Sequence, residues 1–224
     1  MINLLKKYAR KTFPKLTGKN FSTLEYWEHR AKLYGRQSVV NIGHSDTEFE
    51  LITEKQKQEI FPYLRQSLRG DEQLILDFGC GCGRFTTDLA FIIGGKAIGI
   101  EPIKSLLDIA PQNEEVEYKL MKEGEIPLPD NYVDVVWICL VLGGIKQEIL
   151  ENTTREVIRV LKNDGLLFLV ENTSDKPNTE HWIFRKILDY QEMFPSVSLV
   201  YIHDYFDLNE RISILSGRKI QDYS

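Results

Sequence analysis

The stretch from residue 74 to residue 93 constrains the fold of this chain more than any other. It holds an apolar run, LILDF (Leu74–Phe78), then a turn with glycine at three of five positions, then FTTDLAFII (85–93), whose apolar residues have helical spacing. A short apolar run before a glycine turn predicts a buried strand, and Gly94 and Gly95 predict the end of the helix. The stretch therefore predicts the first strand and the first helix of an α/β fold.

The rest of the chain continues this alternation. Further strands are predicted at 96–100, 116–121, 133–140 and 166–170, and helices at 105–110 and 147–161. Strands that alternate with helices predict right-handed crossovers and a mostly parallel sheet. The end of the chain differs, because the predicted strands 198–202 and 211–215 are joined without a long helix. These two strands predict an antiparallel hairpin at one edge.

The composition suits one soluble domain with an extension. Of the 224 residues, 42% are hydrophobic and 27% are charged, which is enough apolar material for a core. Residues 1–70 are predicted to form a helical N-terminal cap, and residues 71–224 are predicted to form the main domain. No apolar run approaches the roughly 20 residues that a membrane-spanning helix needs.

The charge balance bears on partners and location. The chain has 28 basic and 33 acidic residues, which argues against binding nucleic acid by neutralising phosphates. The first twenty residues are basic without a secretory core segment, and an odd count of three cysteines indicates a reducing compartment, so a cytoplasmic protein is expected. The basic start is either a solvated helix packed on the body or an amphipathic helix contacting an anionic membrane surface. The oligomeric state is not predicted.

Two cysteines occupy the gaps between the three glycines of the turn. Cys80 and Cys82 are separated by one residue, whereas paired zinc ligands are usually separated by about two to four and need two further ligands. No second cluster of Cys or His exists in the sequence, so no metal site is predicted. The glycines are then the feature that needs a function.

The glycine turn suits a bound ligand. Glycines let a ligand approach the backbone closely, and the N-terminus of the following helix offers free N–H groups to an anion. In an open α/β sheet, ligands bind beyond the carboxyl ends of the strands. Glu101 follows the second predicted strand directly, where a carboxylate suits the two hydroxyl groups of a ribose. The alternative for Glu101 is an ordinary surface glutamate.

The glycine spacing separates two classes of cofactor. Dinucleotide-binding proteins carry the fingerprint G-x-G-x-x-G. Gly79 and Gly81 match its first two glycines, but Arg84 stands at the place of the third, and the spacing is instead G-x-G-x-G with Gly83. This spacing disfavours a NAD-dependent oxidoreductase, which stays an alternative function.

Four segments between residues 73 and 171 carry a family resemblance. They are LILDFGCGCGRFTTDLA, AIGIEP, IPLPDNYVDVVWICLVL and EVIRVLKNDGLLFLVE. In this order the chain resembles class I S-adenosylmethionine-dependent methyltransferases of the small-molecule type (the methyltransferase type 11-like group). The resemblance implies a Rossmann-like, seven-stranded, mostly parallel sheet with an antiparallel edge hairpin. It also implies S-adenosylmethionine as the cofactor and methyl transfer to a small molecule.

The resemblance assigns cofactor-binding roles to residues of this chain. It implies that the loop around the amino-acid part of the cofactor consists of Asp77, Gly79, Cys80, Gly81 and Gly83. It implies that Glu101 holds the ribose and that the rest of the cofactor is flanked by Pro102, Glu123, Gly124 and Leu140. A segment that closes over the cofactor in such enzymes corresponds to Tyr26, Arg30 and Tyr34, for which surface or packing roles are the alternative.

Candidates for a general base lie outside the four segments or at their end. Relatives often carry histidines after the fourth strand, where this chain has Gly143 and Gly144, which either open room above the cofactor or simply form a turn. The catalytic candidates are His44, before the core, His181, in the loop after the fifth strand, and Glu171, at the end of that strand. For His44 and His181, a purely structural role is the alternative.

The acceptor is expected to be a small molecule, with a sugar or sugar-lipid hydroxyl as the first hypothesis. Aromatic residues outside the four segments would form the rim of a pocket or fill the core; they are Trp27, Trp182, Tyr190, Phe194 and Tyr205. The [DNS]-P-P-[YF] signature of enzymes that methylate amino groups of nucleic acids is absent from the sequence. A non-catalytic cofactor-binding protein is the remaining alternative.

Overall fold

The computed structural model describes residues 22–41 and 43–220. The helices are α1 (Thr23–Tyr34), α2 (Phe49–Ser67), α3 (Thr86–Ile93), α4 (Lys104–Leu107), α5 (Gln147–Val160) and α6 (Ile187–Met193). The strands are β1 (Leu74–Phe78), β2 (Lys96–Glu101), β3 (Val116–Leu120), β4 (Val133–Cys139), β5 (Leu161–Asn172), β6 (Val200–Asp207) and β7 (Glu210–Arg218). The basic start of the chain, on which the predicted membrane contact depends, lies outside the described residues.

The described strands form one sheet in the order β3-β2-β1-β4-β5-β7-β6. Strands β1 to β5 pair in parallel, whereas β7 is antiparallel to both of its neighbours. The predicted α/β fold with a mostly parallel, seven-stranded sheet and an antiparallel edge hairpin is confirmed. Because Asn172 at the end of β5 pairs with Ile212 near the start of β7, the hairpin tip at Leu208 and Asn209 lies at the carboxyl edge of the parallel strands.

One predicted boundary is wrong, at the start of β5. The sequence Asn163-Asp164-Gly165 predicts a turn before a strand at 166, but the strand begins at Leu161 and contains these residues. Its pairing with β4 shifts register there, and Asp164 has a φ of 61°. These are marks of a β-bulge, in which extra residues in one strand are accommodated without ending it.

The sheet is buried on both faces, which fits the nearly continuous apolar sequence of β4. Val136 and Ile138 face a core that includes Leu150 and Val157 of α5. Their neighbours along β4 face the opposite core, where Trp137 stacks on Phe168 with ring centroids 5.3 Å apart. Helices α2 and α3 cover this second core. The two layers of helices leave the carboxyl edge of the sheet as the place for a site.

The N-terminal segment covers part of the carboxyl edge of the sheet. A third apolar cluster joins Ala31 of α1 and Val40 to Ile103 and Leu106, which follow the carboxyl end of β2. Segments on both sides of the predicted boundary at residue 70 therefore pack together, and the division into a cap and a main domain stays a prediction. No helix among the residues described here is both long and apolar enough to cross a membrane.

Candidate active site

A cavity of about 490 Å³ lies at the carboxyl edge of the sheet, between the strand ends, α1 and the loop that joins β5 to α6. Its volume is typical of small-molecule sites, which span about 300–1,000 Å³. Most of the residues that the sequence assigned to a cofactor line it, namely Tyr26, Arg30, Asp77, Gly79, Cys80, Gly81, Glu101, Pro102, Glu123, Gly124 and Leu140. Of the catalytic candidates, His181 lines it as well.

The glycine loop has a backbone that other residues do not adopt easily. Gly79 and Gly81 have φ values of 70° and 57°, in the left-handed region that favours glycine. A Cβ atom on Gly79 would lie 2.6 Å from Cγ2 of Val141, and one on Gly81 would lie 2.7 Å from Cγ1 of Val39. The N–H groups of Gly79 and Cys80 both donate to the carbonyl of Ile100, which ties the loop to β2. Larger residues are therefore excluded at Gly79 and Gly81, and the loop is held in a fixed position.

Glu101 closes the loop from the tip of β2. Its Oε2 accepts from the N–H of Gly81 at 3.0 Å, and its Oε1 accepts from the N–H of Ile103 at 3.1 Å. Burial raises the pKa of Glu101 to about 7. Each carboxylate oxygen can accept more than one hydrogen bond, so the side chain has capacity left for a ligand's hydroxyl groups.

Asp77 stands at the tip of β1 on the other side of the loop. Its Oδ2 accepts from the hydroxyl of Thr86 at 2.6 Å, and burial raises its pKa to about 7, against the lowering effect of the Arg84 charge. A positively charged ligand group beside Asp77 would favour the ionised carboxylate. The cavity is thus suited to a ligand that carries a cation next to its hydroxyl groups.

Aromatic rings close the cavity opposite the strand ends. The ring of Trp182 lies against Gly143, and Cζ2 of Trp27 would lie 3.0 Å from a Cβ atom on Gly144. The expectation that these two glycines open room above the cofactor is therefore wrong, because the two indole rings occupy the space that side chains would fill. We call Tyr26, Trp27, His181 and Trp182 the aromatic lid.

The two candidate histidines have different surroundings. The side chain of His181 is 15% exposed, burial lowers its pKa, and its Nδ1 has no hydrogen-bond partner among the described residues. His44 lies outside the cavity lining, and its Nε2 is 2.7 Å from Oδ1 of Asp207, which does line it. Of the two, only His181 reaches the cavity directly.

A family comparison accounts for the central part of the chain. Residues 76–169 match the family model described as a methyltransferase domain. This stretch runs from β1 through the glycine loop and Glu101 to β5. Residues 76–169 therefore form a methyltransferase domain of the class I, S-adenosylmethionine-dependent type. The resemblance seen in the four sequence segments is thereby confirmed.

Known proteins share this methyltransferase domain. The chain is 29% identical over 147 residues to the thiol S-methyltransferase TMT1B of Rattus norvegicus, covering 61% of this chain and 58% of that protein. It is 31% identical over 108 residues to the ubiquinone/menaquinone biosynthesis C-methyltransferase UbiE of Vibrio cholerae, covering 44% and 41%. A solved S-adenosylmethionine-dependent methyltransferase from Aquifex aeolicus has a TM-score of 0.58 at 19% identity, covering 88% and 98%. The chain spans about half the length of the curated relatives it matches.

The cofactor of this domain class, S-adenosylmethionine, fits the cavity. Its ribose hydroxyl groups match the remaining acceptor capacity of Glu101, and its ammonium group matches Asp77, whose pKa burial raises. Apolar side chains that suit the faces of an adenine line the wall beyond β2, namely Ile103, Leu106 and Met121. Gly79 and Gly81 line the cavity as well, so the backbone of the loop lies beside both carboxylates at the ligand's surface.

Besides His44, three of the residues predicted for the site do not line the cavity. Gly83 has a φ of 73° and faces the phenol of Tyr118, not the cavity. Tyr34 is the last residue of α1 and lies behind the lining. Glu171 is fully buried, and its Oε1 accepts from the N–H groups of Val141 at 3.0 Å and Leu142 at 2.8 Å. Glu171 therefore supports the loop after β4 from beneath and does not face a ligand.

Other lining residues escaped the sequence analysis. Arg84 enters the cavity from the start of α3, and Asp207 and Glu210 enter it from the tip of the β6–β7 hairpin. The position of the hairpin tip could be predicted from the order of the strands. A hairpin that pairs antiparallel to the last parallel strand must turn at the carboxyl edge of the sheet. Arg84 stands where the dinucleotide fingerprint has its third glycine, and the glycine spacing alone does not reveal that its side chain lines the cavity.

Proposed function

We propose that this protein transfers the methyl group of S-adenosylmethionine to a small-molecule acceptor. The observation that carries the proposal is the pair of buried carboxylates, Asp77 and Glu101, at the tips of neighbouring strands on either side of a bare glycine loop. When bound, the cofactor supplies the electrophilic methyl group. The protein supplies binding, orientation and a suitable electrostatic environment.

Orientation and the exclusion of water are the main contributions of this chain. Holding two reacting groups in line at about 3–3.5 Å accounts for a large part of the rate of such displacements. The aromatic lid covers the cavity, and Val141 of the loop after β4 packs on Gly79. Because positive charge disperses during methyl transfer, apolar surroundings of this kind favour the reaction.

We propose that His181 accepts the proton of the acceptor. It lines the cavity, and burial lowers its pKa, so the imidazole is neutral and able to take a proton near pH 7. His44 is less suitable, because it lies off the cavity lining and its Nε2 is engaged with Asp207. Glu171 is less suitable, because its carboxylate supports the loop after β4.

For the acceptor we propose a sugar or sugar-lipid hydroxyl. The rings of Tyr26, Trp27 and Trp182 line the cavity, and aromatic walls with few polar groups are typical of small-molecule sites. The side chain of Asn172 lines the same cavity from the end of β5. The two relatives named above are called thiol and C-methyltransferases, so the acceptor atom has to be tested and not assumed.

Two measurements test the proposal. In calorimetry, S-adenosylmethionine and S-adenosylhomocysteine are expected to bind, and NADH is not; binding of NADH alone would favour an oxidoreductase. Methyl-labelled cofactor is then incubated with separate pools of sugars, phenols, amines and thiols. Label in the sugar pool supports the proposed acceptor, and label in another pool replaces it. Cofactor binding without transfer into any pool would indicate a non-catalytic S-adenosylmethionine-binding protein.

A further inference from the structure

Arg84 is a cation in the cavity wall that lacks an ion-pair partner among the described residues. A guanidinium has five N–H donors. The hydrogen bond that Arg84 makes to a side chain of the described residues is a long one, from Nη1 to Oγ1 of Thr53 at 3.5 Å. Its Cζ lies 4.4 Å from the centre of the Phe85 ring, which holds the group without neutralising it. Arg84 therefore has donors left for a ligand in the cavity that it lines.

The carboxylates at the hairpin tip do not neutralise Arg84, because they are engaged elsewhere. Asp207 is bonded to His44 at 2.7 Å. Glu210 accepts from Lys176 at 2.5 Å and from the amide of Asn172 at 2.7 Å. Asp77 is close enough for its pKa to be lowered by the charge of Arg84, but the hydrogen bond of its side chain is to the hydroxyl of Thr86, and it forms no ion pair with Arg84 among the described residues.

A second donor without an acceptor lies in the same corner. The phenol oxygen of Tyr205 in β6 is buried and has no hydrogen-bond partner among the described residues. Tyr205 and the Cys139 thiol are near enough to Arg84 for its charge to counter the effect of burial on their pKa values. The guanidinium of Arg84 and the thiol of Cys139 line the cavity here, with the phenol of Tyr205 buried close by. The nearby carboxylate of Asp77 accepts from the hydroxyl of Thr86 and is not ion-paired with Arg84. Such a corner suits a negatively charged oxygen.

For the cofactor's own carboxylate, the cavity lining offers a second arginine, Arg30. Arg30 of α1 donates to the carbonyls of Ser38 at 2.9 Å and Val40 at 3.0 Å, on either side of Val39. Val39 packs directly on Gly81, so Arg30 is fixed beside the glycine loop that surrounds the amino-acid part of the cofactor. Arg84 is instead near Cys139 at the end of β4 and Tyr205 in β6, and we assign this side of the cavity to the acceptor.

We propose that Arg84 binds a carboxylate or phosphate group of the methyl acceptor, so that the acceptor is an anion. This inference rests on the proposed methyl transfer and narrows its substrate class. A sugar that carries a carboxylate or a phosphate satisfies both proposals. The neutral members of the sugar pool would then be poor substrates.

The test labels a protein-free, small-molecule extract with methyl-labelled S-adenosylmethionine and separates the product by anion exchange at pH 7. The labelled product is expected to be retained as an anion, and treatment with phosphatase distinguishes a phosphate from a carboxylate. A labelled product that elutes with neutral or cationic compounds would overturn the inference while leaving methyl transfer in place. No label in any product would remove the proposed function, and the inference with it.

Arg84→Gln is expected to raise the KM for the labelled acceptor by about 10- to 100-fold, as loss of a hydrogen bond to a charged group does. Arg84→Lys should recover part of that loss. Arg36→Gln is the matched control, because Arg36 lies 4.7 Å over Phe49 and outside the cavity lining.

Binding of S-adenosylhomocysteine, measured by calorimetry, should be unchanged in Arg84→Gln. If that affinity falls while 5′-methylthioadenosine, which lacks the amino-acid part, still binds normally, Arg84 holds the cofactor's carboxylate and the inference is wrong.

Discussion

The imidazole of His181 lies flat against the phenol ring of Tyr26, with ring centroids 3.7 Å apart and ring planes 15° apart. His181 belongs to the loop between β5 and α6, whereas Tyr26 belongs to α1 at the start of the described chain. The stack joins these two segments above the cavity, next to the contacts of Trp27 and Trp182 with the glycines after β4. Entry and release of a ligand are therefore expected to require the opening of these aromatic contacts.

Tyr26→Leu is expected to accelerate release of the cofactor. Stacked aromatic pairs contribute about 0.5–1.5 kcal/mol beyond their burial, so the dissociation rate of S-adenosylhomocysteine should rise by roughly 2- to 10-fold. Stopped-flow displacement measures this rate. The matched control is Tyr63→Leu, which removes another stack, of Tyr63 on His203 at 4.7 Å, away from the cavity lining. Equal acceleration in both variants would argue against a lid.

Glu101→Ala is expected to weaken both S-adenosylmethionine and S-adenosylhomocysteine. Hydrogen bonds to a charged group contribute about 1.5–3 kcal/mol each, so a loss of affinity of about 10- to 100-fold should appear in calorimetry. Glu101→Gln should be milder, because the amide oxygen can still accept from Gly81. Glu114→Ala, at an exposed position before β3, is the control. An unchanged affinity in Glu101→Ala would exclude this carboxylate from the cofactor site.

Gly81→Ala separates the close packing of the glycine loop from the strain of its backbone. At Gly81 an alanine would meet both a φ of 57° and the side chain of Val39. At Gly94 the φ is 62°, but nothing lies within 4 Å of a Cβ atom. Both variants should lower the free energy of unfolding by about 1 kcal/mol or more through backbone strain. Gly81→Ala alone should also abolish cofactor binding in calorimetry, and its retention would mean that the loop adapts.

Buried acids predict an unusual pH dependence of stability for the cofactor-free protein. Burial raises the pKa values of Asp77, Glu101 and Glu171 to about 7 each. Their folded-state pKa values exceed those of the unfolded chain, so their stabilising effect is complete below about pH 4 and is lost as the pH rises through about 7. His181, whose pKa burial lowers, acts in the opposite direction. Thermal unfolding should therefore occur at a higher temperature near pH 6 than near pH 8.

Glu171→Gln provides the comparison for this pH dependence. Glu171 is fully buried off the cavity lining, so its replacement should reduce the difference between the two pH values without removing the cofactor site. The unfolding temperatures of the variant and of the unchanged protein are measured in parallel by calorimetry. A transition that does not move with pH in the unchanged protein would show that these carboxyl groups are ionised in the fold.

His181→Asn is expected to reduce kcat if the imidazole takes the acceptor's proton. Because burial lowers the pKa of His181, kcat of the unchanged protein should fall only when the pH drops below the ordinary pKa of a histidine. This acidic limb of the pH profile should be absent from the variant. His44→Asn should leave the limb in place, since His44 lies off the cavity lining. Initial rates across pH measure both. A limb that disappears in His44→Asn would move the role to the His44–Asp207 pair.

The fold was predictable because the signals that define it are local. The run 133–140 is apolar except for Asp134 because β4 is covered on both faces. Gly79 and Gly81 mark a turn that only glycine fits easily. The bulge in β5 was not predictable, because the sequence at 163–165 is equally suited to a turn between elements. Register with a neighbouring strand decides between the two, and register is not a local property.

The site was predictable where its residues follow strand tips and unpredictable where they depend on packing. Glu101 is the last residue of β2 and Asp77 is the last but one of β1, so their place follows from topology alone. The pair Gly143–Gly144 suggested open space, but the tryptophans that fill this space come from α1 and from the loop after β5. Glu171 also ends a strand, yet its oxygen is engaged with two N–H groups of a neighbouring loop, a contact that a sequence pattern does not reveal.

The ring of Tyr118 ties together positions that are distant in sequence. It fills the place of a side chain at Gly83 and lies 2.7 Å from a Cβ atom built on Gly99. The third glycine of the loop is thus specified by its left-handed backbone, with a φ of 73°, and by the size of a residue in β3. Positions 83, 99 and 118 should therefore vary together, because a side chain at either glycine needs a smaller residue at 118, and at 83 it must also adopt the strained backbone. Gene libraries that randomise these three codons at once should recover folded combinations that single changes would miss.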